Sequence, residues 1–261
     1  MSRSRPPTKT YAAPAIEKAF QIIDLLAEYP QGALVKDMAA HLGRSVGELF
    51  RMVVVLEQNG YLNRSPITDR YTVSYKILEL AFRATPARNL VRTATPWMRR
   101  LVEEVEQSCH LVVPNGAHGL VVAREENPGT RGFALRQGAP IDMIRSCSGQ
   151  VILAFSPPDV SDRLVREAEA VREEPVDRDW LAGRLETIRS RGFDQRKSPI
   201  TFGVTDISYP IHAFDRELIG ALTVPFMELI DGSQRIKLDA VAERLHATAR
   251  AISSELGCPE D

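Results

Sequence analysis

Apolar residues in the first part of the chain recur at helical spacing in three blocks and then alternate in two shorter ones. Ile16, Ala19, Phe20, Ile22, Ile23, Leu26 and Ala27 fall three and four apart, with Glu17, Lys18, Gln21, Asp24 and Glu28 between them. That period predicts an amphipathic helix from about Ala15 to Tyr29, stopped by Pro30-Gln31-Gly32. A second helix over Val35–Leu42 would bury Met38, Ala39 and Leu42, and Gly43 stands where a helix end needs positive φ. Ser45 then caps a third helix, with Glu48 placed to complete a capping box. Its inner face is Leu49, Met52, Val53 and Leu56, and its outer face Val46, Gly47, Phe50, Arg51 and Val54. The run Val53-Val54-Val55 has strand propensity, yet the flanking period and the Asn59-Gly60 stop favour a helix. Tyr61–Arg64 and Arg70–Val73 alternate around the turn Ser65–Asp69 and read as a hairpin.

Two helices joined at a glycine turn, followed by a hairpin, make a winged helix-turn-helix over residues 14–75. Such an arrangement holds one helix out to enter a DNA major groove. The residues placed for DNA are Arg44, Ser45, Val46, Gly47, Phe50 and Arg51 at the third helix, with Arg64 and Arg70 flanking the wing, where cations reach phosphate or the minor groove. The plainer alternative for both wing arginines is that they solvate a hairpin edge. Residues 1–13 carry Arg3, Arg5 and Lys9 with Pro6 and Pro7, and are expected to form a disordered basic arm.

Beyond the hairpin the pattern changes. Ser74–Ala84 is periodic and the polar Thr85–Asn89 follows, so residues 76–95 are expected to link two domains. Pro96 suits the first turn of a further helix with Trp97, Leu101, Val102 and Val105 inward. His110–Val113 and Leu120–Ala123 read as strands around Asn115-Gly116, with Phe133–Leu135 as a candidate third. Helices are expected from Ser148 to Phe155, Asp159 to Val171 and Trp180 to Arg191. Strands near Asp206–Ile211 and Leu218–Val224 and a closing helix over Ser233–Leu256 complete residues 96–257. Short strands among helices indicate an α+β domain with an antiparallel sheet.

Composition narrows this picture. Hydrophobic residues are 44% and charged residues 26% of 261, and three cysteines are far apart, which fits neither a disulfide scaffold nor a membrane span. The N-terminus lacks an apolar signal-peptide core, so a cytoplasmic protein is expected. Net charge is −1, but residues 1–75 hold nine Lys/Arg against seven Asp/Glu, a balance of +2, while the remainder is at −3. The sign suits an N-terminal DNA reader, and the small size means that a few placed cations, or a doubled charge in a dimer, must supply affinity.

The ordered set of segments resembles the IclR family of bacterial transcriptional regulators. It comprises Ala15–Leu26, Gly43–Arg51, Leu56-Glu57-Gln58-Asn59-Gly60-Tyr61-Leu62, Asp69-Arg70-Tyr71, Gly138-Ala139-Pro140, Ser146–Phe155, Arg189-Ser190-Arg191-Gly192-Phe193 and Ile207–Ile211. The resemblance spans about residues 14–257. It implies a GAF-like or profilin-like effector domain and a homodimer or dimer of dimers on a pseudo-palindromic operator. Half-sites about 34 Å apart would match two symmetric recognition helices. It also implies a small polar metabolite as effector, often a carboxylic or aromatic acid, and no cofactor. Carried over by motif, the effector contacts are Arg145, Cys147, Ser148, Gly149, Asp194, Asp206, Ser208 and Thr223, with Pro225 beside them. Three departures stand out. Gly47-Glu48 replaces the family's usual Ser-Thr in the third helix, and Val54 stands where a second Arg is common. Asp206 replaces a small or thiol side chain, which disfavours a purely anionic effector and favours one bearing a hydroxyl or amine.

Two other classes compete with a DNA-binding regulator. A winged-helix dimer can serve as a protein-interaction module, and Cys147 at a helix start has the local electrostatics of an activated thiol, with His212 or His118 as conceivable bases. No nucleophile motif surrounds Cys147. The set Cys109, His110, Cys147 and His212 fits no standard zinc spacing, and no phosphate loop is present. The expectation is therefore a non-enzymatic regulator.

Overall fold

The computed structural model describes residues 13–84, 87–127, 129, 132–231 and 233–259. Apart from Ala13, the expected basic arm lies outside them, as do Thr85 and Pro86 of the expected linker. The chain divides into two compact units, Met1–Thr85 and Pro86–Asp261.

The first unit opens with α1 (Pro14–Ala27), α2 (Val35–His41) and α3 (Val46–Gln58). Gly43 joins α2 to α3 at φ +61°, a conformation that costs little without a Cβ. Ser45 caps α3, its hydroxyl accepting from the Glu48 amide at 3.3 Å. The wing is β1 (Leu62–Arg64) paired antiparallel with β2 (Tyr71–Val73), and an isolated bridge from Ala33 to Tyr71 ties it to the α1–α2 connection. Ile22, Leu26, Met38, Leu49, Val53, Leu62 and Tyr71 form the core. Each such side chain contributes roughly 1.5–3 kcal/mol on burial, so a core this small uses helices and hairpin together. The unit ends with α4 (Lys76–Ala84).

The second unit begins earlier than the sequence suggests. Helix α5 runs Ala87–Val105 with Pro96 inside it, so Pro96 does not open a helix. Pro96 lies on the exposed side, where water can take the place of the missing N–H, while Leu90, Ala94, Met98, Leu101, Val102 and Val105 make an unbroken buried stripe. That stripe overrides the local helix-start signal. Then come β3 (Cys109–Asn115), β4 (His118–Glu125), β5 (Pro140–Asp142), α6 (Cys147–Phe155), α7 (Pro158–Ala170), α8 (Arg178–Arg191), β6 (Asp194–Lys197), β7 (Val204–His212), β8 (Leu218–Met227) and α9 (Leu238–Glu255). Phe133–Leu135 is not a strand. The Gln137 and Arg124 side chains pair instead with the Val122 and Leu135 carbonyls, and the edge strand forms at Pro140–Asp142. Residues 233–237 precede the last helix rather than belonging to it.

The sheet is antiparallel, in the order β5-β4-β3-β8-β7-β6. Alternation along its strands separates two cores. Leu111, Ile207, Tyr209, Leu222 and Val224 face α5 and α9, whereas Val112, Val121 and Ala221 join α6, α7 and α8. Each sheet face is thus covered by helices, which is the condition for the long apolar strands β7 and β8. Among the described residues, no helix is long and apolar enough to cross a membrane.

Candidate functional site

The exposed face of the first unit is built on α3. Arg44, Ser45, Val46, Gly47, Phe50 and Arg51 are all exposed, and Leu49, Val53 and Leu56 on the opposite side are buried. Among the described residues, neither the Arg44 nor the Arg51 guanidinium makes a hydrogen bond or ion pair, so both charges are available to an anionic partner. Glu48 is not: Lys18 on α1 holds its carboxylate in an ion pair. That bond, more than the nearby Arg44 and Arg51 charges, keeps the Glu48 carboxyl below its ordinary pKa. The Glu48 charge at the start of α3 is therefore answered within the unit. Val55, half-exposed, extends the outer face beyond the residues named from the helical period.

The wing arginines differ from one another. Arg64 reaches Asp69 at 3.0 Å across the turn and lies 5.9 Å from the Tyr71 ring, yet stays exposed. Arg70 donates to the Gly32 carbonyl at 2.9 Å, an anchor of the wing to the α1–α2 connection. At the tip, Ile67 is 92% exposed, with the turn held by Thr68 N–H to Ser65 Oγ.

In the second unit, the α6 side of the sheet carries a row of polar residues. Strand register sets His110 opposite Thr223, Thr223 opposite Ser208, and Ser208 opposite Asp194. Asp206 and Pro225 form the next pair on that face. A cavity of about 140 Å³ lies here, lined by Arg145, Cys147, Ser148, Asp206 and Thr223 together with His110, Phe133, Leu135, Ser198 and Ile200, among others. An apolar site of about this size holds one benzene-sized ring.

Three of the eight residues expected at the pocket do other work. Gly149 is absent from the lining, and a Cβ there would stand 2.6 Å from the Met143 backbone, so glycine lets α6 dock on the preceding loop. Asp194, only 1% exposed, is the centre of a buried ion cluster, with Arg184 Nη2 at 2.8 Å and Arg196 Nε at 3.4 Å. Ser208 lies fully buried behind Thr223, their hydroxyls 2.8 Å apart. Arg184 also reaches Gln150 Oε1 at 3.4 Å, and Gln150 donates to the Ile144 carbonyl at 2.7 Å, locking the loop before α6. Asp142 completes that lock, accepting from the Ile144 and Arg145 amides at 2.8 and 2.9 Å and pairing with Arg172.

The pocket groups have distinct protonation. Burial pushes the Asp206 carboxyl up, opposed by a hydrogen bond from Ser198 and by Arg196. Burial also raises the Cys147 thiol well above its usual range, and its Sγ lies 3.6 Å from the Asp194 carbonyl, so it is a packing group rather than a thiolate. His212 lines a separate cleft of about 430 Å³ with Tyr209, His246 and Arg250. Among the described residues, no three His, Cys, Asp or Glu side chains are grouped to hold a metal ion. The first N–H groups of α6, at Cys147 and Ser148, have no carbonyl one turn earlier in the helix and favour an anionic group.

His110 was not singled out by sequence as a pocket residue. It is 4% exposed, burial takes its pKa down to about 4, and its buried Nδ1 has no hydrogen-bond partner among the described residues. A buried polar atom left so costs about 1–3 kcal/mol. The sequence signal is its position: an imidazole at the head of the apolar run Leu111–Val113, on the opposite face from Leu111.

Comparison with known proteins agrees with this architecture. Residues 15–66 match the IclR helix-turn-helix domain, and residues 82–254 match the domain described as bacterial transcriptional regulator IclR C-terminal. The glycerol operon regulatory protein of Streptomyces coelicolor is 25% identical over 245 residues, covering 93% of this chain and 96% of its own. The crystal structure of Pseudomonas aeruginosa HmgR superposes with a TM-score of 0.73 at 25% identity, covering 94% of this chain and all of that one. An IclR homologue from Microbacterium hydrocarbonoxydans, crystallised with 4-hydroxybenzoate, shares the fold with a TM-score of 0.76 at 19% identity, over 93% of this chain and 98% of that one.

Proposed function

Since this chain belongs to the IclR family of bacterial transcriptional regulators, and is a DNA-binding regulator of transcription, we propose that a small polar metabolite in the 140 Å³ cavity controls how it holds its operator. The observation that carries the DNA half is the exposed α3 face with Arg44 and Arg51 uncommitted. Arg51 is the base reader and Arg44 a phosphate contact, while Arg64 positions the wing on the backbone without reading sequence. Phe50, Val46 and Gly47 give the face its apolar contact surface, suited to thymine methyl groups. Arg70 serves the wing's attachment through Gly32.

The effector half rests on a cavity whose lining mixes apolar side chains with polar groups from α6 and the loop before it, from β3, β5, β7 and β8, and from the β6–β7 connection. Such a mixture fixes the orientation of a small ligand. The homologue bound to 4-hydroxybenzoate supports a single-ring acid as the scale of ligand. Arg145 and the α6 amides take its carboxylate, and Asp206, with Thr223, faces the uncharged part. The working form is a homodimer or dimer of dimers, because two copies of α3 on a symmetric pair read a palindromic operator. The ligand acts by binding one DNA-competent arrangement better than another.

The test is fluorescence anisotropy of the full chain on the duplex upstream of its own gene and on a shuffled duplex. The upstream duplex is expected to bind at least about a hundredfold more tightly, with affinity falling steeply as salt rises. Equal affinity for both duplexes would remove the regulator's α3 assignment.

A further inference from the structure

We propose that His110 reads a hydroxyl group on the effector, so that the pocket selects a small hydroxylated carboxylic acid over the same acid lacking that hydroxyl. The inference rests on the effector-binding reading of the cavity and names the ligand class it admits.

The geometry supports it in three steps. First, His110 lines the cavity, and among the described residues its Nδ1 has no hydrogen-bond partner. The polar residue across from it in strand register, Thr223, turns its hydroxyl to Ser208 at 2.8 Å and makes no hydrogen bond to Nδ1. Among the described residues, the other buried side-chain atoms without hydrogen bonds belong to Arg172, Asp194 and Arg196, and each of those side chains stands in an ion pair. His110 has no such charge beside it.

Second, the ring is neutral at physiological pH, its protonation opposed by burial. A neutral imidazole offers a donor at one nitrogen and an acceptor at the other. A ligand hydroxyl satisfies Nδ1 in either tautomer, because it can both donate and accept. A carboxylate satisfies only one tautomer, and Asp206 on the same wall repels it.

Third, the cavity has a separate place for the acid. Arg145 is half-exposed, with Glu174 as a distant partner at 4.0 Å, and Cys147 and Ser148, the first residues of α6, line the same space. A ligand bridging these two regions carries a carboxylate at one end and a hydroxyl at the other, on a body no larger than one ring.

The experiment is isothermal titration of the full chain with matched acids: benzoate against its three monohydroxy isomers, and butyrate against 3-hydroxybutyrate. In the wild type at least one hydroxylated member should bind about tenfold or more tightly than its parent. In His110→Leu that gap should fall below about threefold, chiefly through loss of affinity for the hydroxylated member. His110→Gln, which keeps a donor and an acceptor, should retain a measurable part of it. Imidazole ¹⁵N spectra of the wild type give a check that needs no variant: the His110 Nδ1 signal should move with the hydroxylated acid and stay put with the parent. Parent and hydroxylated acids binding alike, no member binding, or a gap that survives in His110→Leu would each overturn the assignment. The duplex assay run in parallel separates the two levels. Intact operator binding with a failed acid comparison removes the role of His110 alone, whereas lost operator binding strikes the regulator reading.

Discussion

The two units solve opposite problems with charge. The first keeps cations outside a small apolar core and leaves Arg44 and Arg51 uncommitted on the surface of α3. The second takes polar and charged groups inside, pairs most of them, as in the Arg184–Asp194–Arg196 cluster and the Ser208–Thr223 contact, and leaves one imidazole nitrogen without a partner among the described residues. A surface meant for a polyanion works by exposed, solvated charge, because its partner brings the countercharge. A cavity meant for a small ligand works by enclosed groups whose last hydrogen bond the ligand completes. The contrast predicts that substitutions in the first unit change affinity at little cost in stability, whereas those in the second change stability first.

The largest effect expected from that contrast is at Asp194. Asp194→Ala leaves two partly buried guanidiniums without their shared carboxylate and should destabilise the second unit by about 3 kcal/mol. Thermal unfolding checks this, and an unchanged midpoint would return Asp194 to the ligand-contact role suggested by the family motif. Next comes pH. The folded-state pKa of His110 is depressed to about 4 from an ordinary 6.5, so the unfolded chain binds the extra proton between those values. Stability from this group is therefore present above about pH 6.5 and is lost as pH falls toward 4, by roughly 3 kcal/mol at most at about 1.4 kcal/mol per unit. His212, also depressed by burial and by Arg216, adds to the same slope. In His110→Leu the loss between pH 7 and 4.5 should shrink, as denaturant titrations at the two pH values would register.

Smaller effects are expected in the first unit. Ser45→Ala removes the N-cap of α3 and should cost about 1 kcal/mol, read by urea unfolding. Arg64→Ala should barely change stability, since its pair with Asp69 is exposed, yet should weaken upstream and shuffled duplex alike. A selective loss on the upstream duplex would make Arg64 a reader of sequence instead.

The same contrast explains what could be seen in the chain beforehand. In the first unit, the elements of the winged helix-turn-helix and the inward and outward faces of α3 are set by local rules: helical period, the Ser45 cap, the Gly43 turn and the short alternating strands. Only tertiary facts escaped there, such as Glu48 turning to Lys18 and Arg70 to Gly32. In the second unit the strands and helices were mostly legible, but Pro96 misled, because a long buried stripe outweighs one missing N–H. The pocket was legible only in part. Arg145, Cys147, Ser148, Asp206 and Thr223 do meet around the cavity, yet His110 lies more than a hundred positions from Thr223 in sequence and meets it through strand pairing. Gly149 and Asp194 illustrate the converse: both belong to recognisable family segments, and each is occupied in holding α6 in place. Sequence distance hides enclosed sites more than exposed faces.

The most direct test is the ratio of affinities for the upstream duplex and a shuffled duplex, measured by anisotropy at fixed salt for the wild type and Arg51→Ala. The ratio is predicted to fall by about tenfold or more in the variant, with shuffled-duplex affinity little changed. A variant that keeps the wild-type ratio would contradict the claim that the outer face of α3 reads the operator.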